Sequence, residues 1–144
     1  MQLDDLYRRV IMDHYKNPRN RGRLEAGAVS VDLNNPTCGD KISLQMQVKD
    51  GVVLSAKFTG EGCSISMSSA SMMTEAVKGR TLEQALQMAE KFSSLMKGDP
   101  VPFDEYEDIE ALSGVSKFPA RIKCATLAWN ALRKGIEQSR QREE

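Results

Sequence analysis

The sequence predicts an α+β fold, a small three-stranded antiparallel sheet with helices packed on one face. Three observations carry that prediction. The runs "KISLQMQV" and "VVLSAKFT" alternate apolar with polar residues across the turn "KDG", the pattern of an antiparallel hairpin. Further along, apolar residues recur at helical spacing, so strands are grouped early and helices late. No repeat or linker composition interrupts the chain, and residues 1–144 are expected to form a single domain.

Each element follows from its own residues. Leu3, Leu6, Tyr7, Val10, Ile11 and His14 share one helical face, and "KNPRNRG" ends the pattern, which predicts a first helix over Leu3 to His14. "AVSVDL" reads as a short strand ahead of the hairpin. "CSISMSSASMMTEAVKG" has no breaker before Gly79 and is read as a helix, its serines suited to close packing against the sheet. Thr81 and Gln84 form a capping box ahead of Leu82, Ala85, Leu86, Ala89, Phe92 and Met96, one apolar stripe that Gly98 closes. "EYEDIEAL" is expected to form a short helix, and "PARIKCATLAWNALRKGIEQS" a long one with proline at its start.

Composition narrows the function. Lysine plus arginine and aspartate plus glutamate number 20 each, so no global field draws the chain to nucleic acid or an anionic membrane, and neither is expected as a partner. "MQLDDLYRRVIMDHY" has no apolar stretch of signal-peptide length, and no run of apolar residues is long enough to span a bilayer, which together predict a cytoplasmic protein. In a reducing compartment the 3 cysteines are thiols and not a disulfide framework.

Those thiols stand at the ends of predicted elements. Cys38 lies on the loop entering the second strand, Cys63 follows "TGEG" at the mouth of a helix, and Cys124 lies in the first turns of the last helix. Helix N-termini favour the thiolate form, which is both a metal ligand and a nucleophile. Asp40 adds a carboxylate, and Gly39 permits a sharp turn beside Cys38, so a tetrahedral set of three thiolates and one carboxylate is available. Packing competes with this reading, because free cysteine is among the most buried residue types and the chain has no C-x-x-C knuckle. Avoidance of element interiors, and the aspartate beside Cys38, favour the chemical site.

Three boxes, "LNNPTCGD", "GEGCSISMSSASMMT" and "FPARIKCATLAWNAL", resemble the cysteine boxes of the IscU and SufU family, the U-type proteins of iron–sulfur cluster assembly. The resemblance extends to the early "LYRRVIMDHYKNPRN" and so covers nearly the whole chain. It implies an α+β fold with the cysteines gathered at one exposed end, and metal-ligand roles for Cys38, Asp40, Cys63 and Cys124. The IscU branch has a histidine before its third cysteine and a proline-rich LPPVK motif read by a chaperone, where this chain has Lys123 and "FPARIK". With a longer stretch between Cys63 and Cys124, it is more similar to the SufU branch, whose members bind zinc and take sulfur from a cysteine desulfurase.

The expected function is therefore a zinc-dependent, sulfurtransferase-type sulfur carrier. It would take persulfide sulfur from a SufS-like cysteine desulfurase and pass it to downstream cluster-assembly scaffold proteins. The alternative is a scaffold on which iron and sulfide form a [2Fe-2S] cluster for transfer. Cys38, on a glycine-flanked loop, is the expected departing ligand and sulfur acceptor, and the resemblance implies that a partner histidine replaces it on zinc. Three thiolates and a carboxylate against a dication leave a charge of roughly −2. Arg121, one helical turn before Cys124, is the expected catalytic support, reaching Asp40 or a thiolate. Lys41 and Lys123 read as surface charges, His14 as a packed, hydrogen-bonded residue, and Met67, Met72 and Met73 as core filling. The acidic "FDEYEDIEAL" reads as a solvated face.

Overall fold

A computed structural model describes residues 3–24, 28–36 and 39–143. The elements run α1 (Leu3–Lys16), β1 (Val29–Asn35), β2 (Asp40–Lys49), β3 (Val52–Glu61), α2 (Ser64–Val77), α3 (Leu82–Met96), a 3-10 helix (Glu107–Lys117) and α4 (Pro119–Glu143). The sheet is antiparallel with strand order β1-β2-β3. Lys49 pairs with Val52, and the two residues between them, Asp50 and Gly51, both have positive φ, the backbone that a two-residue hairpin demands.

Alternation along the strands sorts the side chains. Val29, Val31, Ile42, Leu44, Met46, Val53, Ala56 and Phe58 are buried on the face that meets the helices, while Ser30, Asp32 and Lys41 face outward. α4 lies over β1 and β2, and α2 lies over β3. Thr81 caps α3 as expected, its side chain accepting from the Gln84 N–H while the Gln84 side chain accepts from the Thr81 N–H. Trp129 of α4 stacks on Phe92 of α3, ring centroids 4.8 Å apart, and Met67, Met72 and Met73 are buried in the core.

Three local expectations change. The serines of α2 do more than permit close packing against the sheet: Ser66 donates to Asp40 of β2, Ser69 donates to the Ala125 carbonyl of α4 and accepts from Trp129 Nε1, and Ser71 meets His14 of α1. The segment after α1 does more than stop a helix, because Phe58 donates to the Asn20 carbonyl and Gly22 donates to the Phe58 carbonyl, forming a fringe along β3. The acidic stretch is a 3-10 helix running on to Lys117, longer than the short helix expected over 105–112.

Candidate metal centre

The site assembles where β2 begins, β3 ends and two helices begin. Asp40 opens β2 opposite Asn35, the last residue of β1. Gly39 has φ +73, the left-handed conformation that closes this turn, and its N–H donates to the Asn35 carbonyl at 2.9 Å. Burial of Asp40 is complete, at 0% exposure. Its Oδ1 accepts from the Cys63 backbone N–H and from the Ser66 hydroxyl, both at 3.1 Å. Its Oδ2 is buried and has no hydrogen-bond partner among the described residues.

Cys63 is the N-cap of α2, in extended conformation, and its sulfur accepts from the Ser66 N–H at 3.5 Å. A cysteine thus fills the position usually held by serine or aspartate, at the positive end of a helix. Cys124 is buried on α4, beyond the first turn, its sulfur 3.9 Å from the Ala120 carbonyl oxygen. The N-terminal field of a helix falls off within one turn, so α4 contributes less to Cys124 than the sequence suggests.

Arg121 contributes instead. Its exposed guanidinium faces both sulfurs: the Cys63 sulfur first, and then that of Cys124, holds it more firmly protonated than an ordinary arginine. Of the two expected destinations, Asp40 or a thiolate, the sulfurs are the ones it meets. Lys123 is exposed, and Lys41 is exposed beside Glu61. His14 is fully buried and hydrogen-bonded, away from the site.

A carboxylate oxygen of Asp40 and the sulfurs of Cys63 and Cys124 all lie within 4.8 Å of one another. A tetrahedron built on a Zn–S distance of ~2.3 Å has S···S edges of ~3.8 Å, so small side-chain rotations bring the three donors onto one ion. The residues fit a dication on a further ground. A buried carboxylate oxygen without a donor is costly, and a cation is what relieves it. Cys38, the fourth expected ligand, lies outside the described residues.

From Cys63 and Arg121 the site opens into a groove of about 700 Å³ whose walls include Tyr7, Ile11, Val115 and Phe118. Its charged lining residues are Arg8, Lys117 and Arg121, all cations, which complement an anionic sulfur arriving there.

Sequence reasoning missed Gly62, Ser66 and Asn35. A Cβ on Gly62 would meet Asp40 Oδ1 and Ser66 Oγ, so only glycine lets β3 pass the carboxylate. Ser66 stands at the third position after a capping residue, a signal readable once cysteine is allowed as a cap. Asn35 becomes visible on counting back across the turn from Asp40.

The NifU-like N terminal domain family matches residues 6–144. The chain is 61% identical over 140 residues to the zinc-dependent sulfurtransferase SufU of Bacillus subtilis, covering 93% of this chain and 91% of that protein. It is 48% identical over 139 residues to the iron-sulfur cluster assembly scaffold protein IscU of Streptococcus pyogenes, covering 96% and 87%. Among solved structures, a hypothetical protein superposes with a TM-score of 0.86 at 47% identity, covering 94% of this chain and 99% of that one. A protein proposed as a cluster assembly scaffold for the SUF system in Fervidobacterium islandicum gives 0.85 at 28% identity, with the same coverage. In sequence and architecture alike, the chain belongs to the family of the NifU-like N-terminal domain.

Proposed function

We propose that this protein is a zinc-dependent sulfur acceptor of iron–sulfur cluster assembly. It takes persulfide sulfur from a SufS-like cysteine desulfurase and hands it to downstream scaffold proteins. The observation that carries the reading is the buried carboxylate of Asp40, which has one oxygen within 4.8 Å of two cysteine sulfurs and an Oδ2 without a hydrogen-bond partner among the described residues. Similarity to a zinc-dependent sulfurtransferase supports the choice of zinc.

Cys38, Asp40, Cys63 and Cys124 would hold the metal, which when bound keeps thiolates from oxidation without redox chemistry of its own. Cys63 and Cys124 are carried by helices and stay in place. Cys38, two residues from Asp40, is the acceptor. Its thiolate attacks the outer sulfur of the desulfurase persulfide, the donor S–S bond breaks, and the desulfurase thiolate leaves with the bonding electrons. Arg121, exposed at the groove and beside both helical sulfurs, steadies the anionic sulfur during this exchange.

Two measurements test the reading. Protein purified anaerobically is expected to hold one zinc and no visible chromophore. With ³⁵S-labelled cysteine and the desulfurase, Cys38→Ala is expected to retain zinc partly and acquire no label, and a labelled variant defeats Cys38 as acceptor. A brown, iron-bearing form supports the second reading, a [2Fe-2S] scaffold. That reading is favoured by the 48% identical scaffold relative and by a carboxylate among the ligands, which loosens the hold on a cluster.

A further inference from the structure

Asp40 Oδ2 is not the only orphan. Among the described residues, the other buried side-chain polar atom without a partner is Asn35 Nδ2. The two residues face each other across the β1–β2 ladder, on the buried face of both strands. Asn35 is only 8% exposed. One orphan is a donor and the other an acceptor, yet they do not bond to each other. Burying a polar atom without a partner is unfavourable, and two such atoms on paired residues mark a place where something else belongs.

A cation satisfies Asp40 Oδ2 but not an N–H. Asn35 requires an electron-rich atom, and a cation held by Asp40 gathers such atoms around it as thiolate sulfurs. We propose that Asn35 is a positioning residue of the metal centre, donating its Nδ2–H to a metal-bound sulfur next to Asp40. This rests on the metal reading above. The donor draws charge from the sulfur, which strengthens retention of the metal and orients the sulfur's remaining lone pairs. The amide belongs to the strand and not to the turn, so it keeps its place while ligands exchange.

The test uses the full chain loaded with ¹¹³Cd as the probe. An N–H···S–Cd hydrogen bond transmits scalar coupling, so a ¹H–¹¹³Cd correlation is expected to show a cross-peak to the Asn35 side-chain amide. Asn35→Leu is expected to lose that cross-peak and release metal to a chromophoric chelator roughly tenfold faster. Absence of the cross-peak in the unaltered protein, when ¹¹³Cd shows the shift of a sulfur-rich site, overturns the role of Asn35 and leaves the metal reading standing. Failure to bind ¹¹³Cd, or a shift typical of oxygen ligands alone, overturns both. The decisive spectrum comes from the unaltered chain, so poor folding of the variant does not blunt it.

Discussion

A single missing methyl group decides whether Asp40 can serve as a ligand. Gly62 lies where an added Cβ would strike the carboxylate and the Ser66 hydroxyl together, and its backbone is not in the left-handed region. Gly62→Ala is thus permitted by the backbone and opposed only by the site. The carboxylate has to turn away, giving up the donors at Oδ1 that aim Oδ2. We expect zinc affinity to fall about 10–100-fold, the usual cost of disturbing a ligand's supporting contacts, with far-UV circular dichroism unchanged. Competition with a chromophoric chelator reads the affinity, and an unaltered value removes Gly62 from the site. The same contrast explains what was legible beforehand. Cys63, Cys124 and Asp40 announce themselves by chemical type at the ends of elements. Gly62 and Asn35 act through neighbours that exist only after strands pair, so nothing in their own residue types points to the metal.

Between elements, His14 is the point where α1, α2 and the 3-10 helix meet. Ser71 Oγ accepts from the Arg19 N–H and lies 2.7 Å from His14 Nδ1, while His14 Nε2 lies 2.8 Å from Asp108. With Ser71 donating to Nδ1 and Nε2–H donating to Asp108, all these groups are satisfied. His14→Ala leaves a cavity and strands a buried hydroxyl, a loss of about 3 kcal/mol that urea denaturation measures. A loss under about 1 kcal/mol shows that the three elements hold together without the histidine. Zinc affinity should stay unchanged, because the partners of His14 among the described residues are Ser71, Asp108 and Tyr106, none of them a ligand. The 3-10 helix itself was readable with the right period. Tyr106, Ile109, Leu112, Val115 and Phe118 recur every third residue, and Ile109, Leu112 and Val115 are buried. Three residues per turn align that row on one face, whereas an α-helix rotates it away. The backbone follows the row, with Ile109 donating to Tyr106 and Phe118 to Val115. The helix expected there stops at Leu112, short of Lys117, because charge, not spacing, dominates the appearance of the segment. The strands and α3 were legible because a period of two and a capping box each have one structural meaning.

Across the whole molecule a metal held by Asp40, Cys63 and Cys124 would tie together segments that the core already holds. Asp40 opens β2, Cys63 joins β3 to α2, and Cys124 rides on α4. The core beneath them is complete without an ion, since Leu44, Phe58, Phe92, Trp129 and Leu132 are all buried. A small zinc knuckle unfolds when stripped of metal, because its ligands substitute for a core. This chain should not. Zinc binding to the native state alone adds about 2.7 kcal/mol at a free concentration 100 times Kd. For a chain of this size each kcal/mol moves the melting temperature by ~2–4 °C, so chelation should lower it by roughly 5–10 °C while the transition stays cooperative. Asp40→Ala should shrink that difference severalfold, since the remaining sulfurs no longer share an ion with a carboxylate. Thermal melts with and without a chelator, on both proteins, check the expectation. Collapse of the folded state on chelation would mean that zinc is a structural brace, immobile by necessity and ill suited to exchanging ligands. Survival of the fold leaves the coordination shell free to open for an incoming sulfur, which a sulfur carrier requires.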